Sequence, residues 1–179
     1  MNSLRLATSL VVMILVCEAA FTQQKSAQDW SAWQFLQGKW AGEGSAEVGQ
    51  GSGYFTFEPD LQNKVWVRKN YSEYPATKDR PKYVHEDLMV IYFDGIARAT
   101  RAFYCDTEGH AIQYTASFSD DAKTLTFISD QQEGKPRFRL TYFRTEPDHM
   151  SLTLETAQPG KPDDFHKIVE GKVHKVSGV

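Results

Sequence analysis

Apolar and polar residues alternate along most of the chain in short runs, and each run is closed by turn chemistry. The runs are Lys39–Val48, Gly53–Glu58, Lys64–Tyr74, Tyr83–Phe93, Ala97–Cys105, Ala111–Phe118, Thr124–Ser129, Pro136–Thr145, Met150–Ala157 and Phe165–Val176. Between them lie Asp94-Gly95, Asp106–Gly109, Ser119–Lys123, Gln132–Lys135, Glu146–His149 and Gln158–Asp164, all rich in residues that favour turns. Short strands at even spacing, with no helical stretch long enough for parallel crossovers, predict an antiparallel sandwich or barrel. The period of two sorts the faces: Phe138, Leu140 and Tyr142 share one side, and Met150, Leu152 and Leu154 share another. Leu88–Phe93 is apolar on both faces, so its outer side calls for a cover, and the N-terminal helix is an economical one. That helix is predicted within Lys25–Gln37, where Trp30, Trp33 and Leu36 recur every third residue. Ser26 or Asp29 would cap its start and Gly38 its end.

The first residues break the pattern. Arg5 is followed by the apolar run Leu6–Val16, and small residues follow at Ala19 and Ala20. This has the form of a secretory signal peptide over residues 1–19, too short to serve as a comfortable membrane anchor. Lipid attachment at Cys17 fits less well, because Val16 stands where a very small residue is needed. The expected organisation is therefore a signal at 1–19, an extension and the start of the short helix at 20–32, and a barrel at 33–176. A secreted or periplasmic location follows, with no stable membrane span after cleavage. Cys105 is then a lone thiol, so the mature fold must hold without a disulfide. A net charge of −3 gives no basic footprint for nucleic acid.

Gly38-Lys39-Trp40, placed just after a helix and before every strand, resembles the glycine-any-tryptophan signature of lipocalins and related calycins. The order of elements from Trp33 to Lys175 is similar to that superfamily, especially its fatty-acid-binding and nitrobindin-like branches. Met89–Gly95, Thr100–Tyr104 and Glu108–Tyr114 resemble bacterial lipocalin-like families of unassigned function. The resemblance implies an all-β, antiparallel up-and-down barrel of about ten strands with a short N-terminal helix, and Trp40 across its floor. It also implies non-covalent binding of a small, mainly apolar or amphipathic ligand, such as a lipid or fatty acid.

Motifs for other chemistry are absent. Gly49–Gly53 has the wrong spacing for a dinucleotide loop, the histidines lack metalloprotease spacing, and no Gly-x-Ser-x-Gly elbow occurs. Asn70-Tyr71-Ser72 fits a glycosylation acceptor but falls inside a strand. No catalytic or metal residue is assigned, and no cofactor. The acidic pairs Glu86-Asp87, Asp120-Asp121 and Asp163-Asp164 are poor catalytic candidates, because neighbours on a strand face opposite ways and turn carboxylates stay solvated.

Candidate ligand contacts rest on parity. Arg101 shares its face with Ala97, Ala99, Phe103 and Cys105, a small and apolar set, and is the candidate anchor for a ligand oxygen. Arg98 takes that role if a bulge intervenes, and an ion pair with Glu86 or Asp87, or plain exposure, is the alternative for Arg101. Tyr104 opposes Arg101 on a regular strand, while Phe103, His85 and Tyr142 complete the candidate set. The nitrobindin-like resemblance implies a haem-dependent nitrogen-oxide scavenger as one alternative, with His166 or His174 on the iron. Their even separation puts both on one face of a regular strand. An isomerase using the same cavity and an exported structural protein with a filled core complete the alternatives.

Overall fold

The computed structural model describes residues 29–44 and 51–177, so the expectations for the signal, Cys17 and the first hairpin lie outside the described residues. Ten strands follow a single short turn of 3-10 helix at Ser31–Leu36. They are β1 (Gly38–Gly42), β2 (Ser52–Asp60), β3 (Val65–Tyr74), β4 (Tyr83–Asp94) and β5 (Ala99–Asp106). Then come β6 (Ala111–Phe118), β7 (Thr124–Ser129), β8 (Arg137–Glu146), β9 (His149–Ala157) and β10 (Phe165–Lys175). Every strand pairs antiparallel with its sequence neighbours, and β1 closes on β10 to complete the barrel. Each predicted run holds one strand.

The N-terminal segment differs from expectation. It is 3-10 helix, in which residues three apart eclipse, and that is the spacing that buries Trp30, Trp33 and Leu36 together. Trp30 takes the N-cap position and makes no side-chain capping bond; Asp29 Oδ1 instead accepts from the Ser31 N–H at 2.8 Å. Gly38 follows the turn with φ +106°, a conformation a side chain would strain. Nor does the turn cover the outer wall of β4, where Leu88, Val90 and Tyr92 are half-buried. It plugs one end of the barrel: the Trp33 ring lies 5.3 Å from Phe118, 6.1 Å from Phe127 and 6.3 Å from Trp66. Trp40, with no exposed surface, donates from its indole N–H to the Leu36 carbonyl at 2.7 Å and locks the plug to β1.

Above this floor the core is aromatic. Phe57, Trp66, Phe127 and Tyr142 are buried with Met89, Ile91, Leu125 and Met150, and Tyr142 makes edge contacts with Phe55, Phe57 and Phe127. A buried leucine or phenylalanine stabilises a fold by about 1.5–3 kcal/mol, so this layer supplies much of the driving force. Cys105, the cysteine among the described residues, is a half-buried free thiol.

Candidate functional site

The inward face of β3 carries Trp66 and Arg68, and that of β4 carries Asp87, Met89 and Ile91. Register places Arg68 opposite Met89 and Asp87 one rung further from the floor, opposite Asn70 and Asp106. Arg68 and Asp87 are both buried and form an ion pair through Nη1 and Oδ1. Burial opposes the guanidinium charge, and the neighbouring Tyr142 and Asp87 more than restore it. Asp87 Oδ2 also lies 3.2 Å from His85 Nε2, while His85 Nδ1 lies 2.9 Å from Glu108 Oε2. A ring protonated on both nitrogens donates to both carboxylates.

Asp106 faces inward beside this group with its side chain only 4% exposed. Burial pushes its carboxyl up, but hydrogen bonds from the backbone N–H and ring of His110 and from the Tyr104 hydroxyl outweigh it and leave the pKa lowered. Burial first, and the carboxylates second, push the Tyr104 phenol well up. Burial likewise raises Tyr114, and it pushes Tyr142 up to about 12 against the opposing pull of Arg68. All three phenols therefore hold their protons at neutral pH.

Arg68 and Tyr142 stand five strands apart round the ring of ten, on opposite walls, and they meet across the interior. The guanidinium lies over the Phe55 ring at 5.3 Å, and the same ring sits 5.5 Å from Tyr142. Yet Arg68 Nε and the Tyr142 hydroxyl make no hydrogen bond, and neither does the Trp66 indole N–H. A buried polar group without a partner costs about 1–3 kcal/mol; among the described residues these three share that state with Gln113 Oε1, which lies on the other face of the sheet opposite Phe103. The walls from β6 to β9 are apolar here, with Ile112, Phe138, Leu140 and Leu152 half-buried against the core.

The expected site residues divide. His85, Tyr104 and Tyr142 face the interior. Arg101 and Phe103 do not, which corrects the parity assigned to β5. The turn at 95–98 pairs Asp94 with Ala99, so the odd inward positions of β4 face even positions of β5. Ala102 is therefore buried and Arg101 outside, where it donates to Asp130 and Thr115. Phe103 is exposed on the same outer wall. Arg98 lies in the turn with φ +52°, also exposed.

His166 and His174 share no face, because a bulge between Lys167 and Val169 resets the register of β10. His174 is on the outer wall with its ring 6.5 Å from His149, and His166 is 68% exposed beside Asp164. His174 is thus turned away from the interior, and His166, which the register puts on the inward-facing side opposite Thr156, stands at the solvent-exposed rim and outside the core.

Arg68 escaped the sequence reading, and Asp87, considered there as an ion-pair partner for Arg101, pairs with Arg68 instead. Their signal was parity: Arg68 shares a face with Trp66, and Asp87 with Met89 and Ile91, so opposite charges fall on the buried faces of consecutive strands.

His85, Asp106 and Glu108 bring one ligand atom each within 4.8 Å of one another, as do Glu146, Asp148 and His149. In the first group His85 and Asp106 are already engaged in the bonds above, so the cluster is satisfied without an ion. No protein-family model matches the chain, and a search of curated proteins likewise gives no match.

Proposed function

We propose that the barrel binds, non-covalently, a small and mainly apolar molecule that carries an oxygen, in the calycin manner. The observation that carries this reading is the pair of unpartnered groups, Arg68 Nε and the Tyr142 hydroxyl, buried together inside the barrel. The guanidinium Nε and the Trp66 indole can only donate, so a partner for them must bring an acceptor. The half-buried Ile112, Phe138, Leu140 and Leu152 offer the apolar contact such a molecule needs. Arg68 thus takes the anchoring role that the sequence reading gave to Arg101.

Tyr142→Phe separates this reading from a filled, purely structural core. The hydroxyl lies beside the Arg68 guanidinium without completing a hydrogen bond, so its removal changes stability by at most about 1 kcal/mol. Affinity for an oxygen-bearing guest, read by displacement of the neutral dye Nile red with octan-2-one, falls by about tenfold. Unchanged displacement by the variant contradicts the proposal.

A further inference from the structure

Resting on that reading, we infer that the guest presents an uncharged acceptor oxygen, a carbonyl or ether, and not the free carboxylate of a fatty acid. Among the described residues the buried guanidinium is that of Arg68, and its charge is already answered by Asp87, with the two side chains 8% and 5% exposed. Asp106, 4% exposed, is a second buried carboxylate directly opposite Asp87 across the β4–β5 ladder. Glu108 adds a third at the outer end, bonded to His85. A carboxylate guest reaching Arg68 Nε would thus join three carboxylates. Counting both His85 and His110 as charged brings that set only to balance and leaves no cation over. Other inward cations do not help: Arg144 lies over the Phe35 ring at the floor, and Lys175 donates to the Phe35 carbonyl. Burying one more anion there meets like charges and loses its hydration together.

An uncharged oxygen meets neither obstacle. Arg68 Nε can only donate and the Tyr142 phenol is protonated, so both can give a hydrogen bond to a carbonyl, with the Trp66 indole N–H a further donor toward the floor. The Arg68–Asp87 pair stays intact, because the free Nε is not the nitrogen that Asp87 holds.

The test compares Nile red displacement from the purified protein by chain-matched octan-2-one, octanoate and octane at pH 7. The ketone is expected to displace dye at least tenfold more effectively than either of the others, at equal free concentration. Octanoate as the strongest competitor overturns the uncharged-head inference while leaving the interior binding site standing. Octane equal to the ketone overturns the donor anchor and the binding proposal with it. Failure of the protein to take up Nile red or any of the three overturns both. Asp87→Asn supplies a second reading: removal of one interior anion should improve octanoate relative to the ketone, and an unchanged ratio contradicts the electrostatic origin.

Discussion

Arg68 shows how much one residue can determine. Its side chain is buried in an aromatic cage over Phe55, and Asp87 is the carboxylate it pairs with. Breaking a buried pair from one side costs more than removing both charges, because the survivor is left uncompensated. Arg68→Met should therefore lower unfolding free energy by about 3–5 kcal/mol in urea titration, and adding Asp87→Asn should recover at least about 1 kcal/mol of it. Simple additivity of the two losses would show that the charges do not sense each other. Arg101→Ala, by contrast, removes an outer-wall ion pair with Asp130 and should cost at most about 1 kcal/mol. Arg68 was hard to pick out because it sits among valines in a strand, where a lone arginine usually points to solvent. Only its shared parity with Trp66 marks it as internal.

Among elements, the strands were the most legible. Turn residues delimit each one, and alternation sorts its two faces. What one strand's alternation does not carry is which face turns inward. On β5 that depends on the β4–β5 register, and there the small residues beside Arg101 suggested the wrong side. The bulge in β10 is a second such case, since one extra residue separates the faces of two histidines that look equivalent in sequence. The 3-10 turn behaves as a plug more than as a helix, held by Trp33 inside the barrel end and by the Trp40 indole bond to Leu36. Trp40→Ala removes that bond and the buried ring. A loss of about 3–5 kcal/mol is expected in thermal or urea unfolding, and melting indistinguishable from the unaltered protein would show that the floor is not built on Trp40.

For the whole molecule, the carboxylates set the acid limit. Asp106 and Glu155 both have folded-state pKa values lowered, Asp106 by the hydrogen bonds that overcome its burial and Glu155 chiefly by its bond from Arg139. A carboxyl lowered in the fold stabilises it above the unfolded value, near 4, and that contribution is lost as pH falls through the folded value. His149 has the opposite sign. Its pKa is raised by Asp148, so its contribution is present below about 6.5 and fades as pH rises past the folded value. Melting temperature should fall below about pH 5, and Asp106→Asn should flatten that decline. An acid limb unchanged by the substitution would place its origin in other groups.

Closure of β1 on β10 joins the first and last strands and leaves the barrel no free edge strand. The interior it encloses is where the functional reading stands or falls, and side-chain nuclear magnetic resonance reaches it most directly. The Arg68 Nε–H signal, assigned by its loss in Arg68→Lys, should shift saturably on titration with octan-2-one, together with the Trp66 indole signal. Both signals holding still while the ketone binds elsewhere would contradict a guest anchored by Arg68.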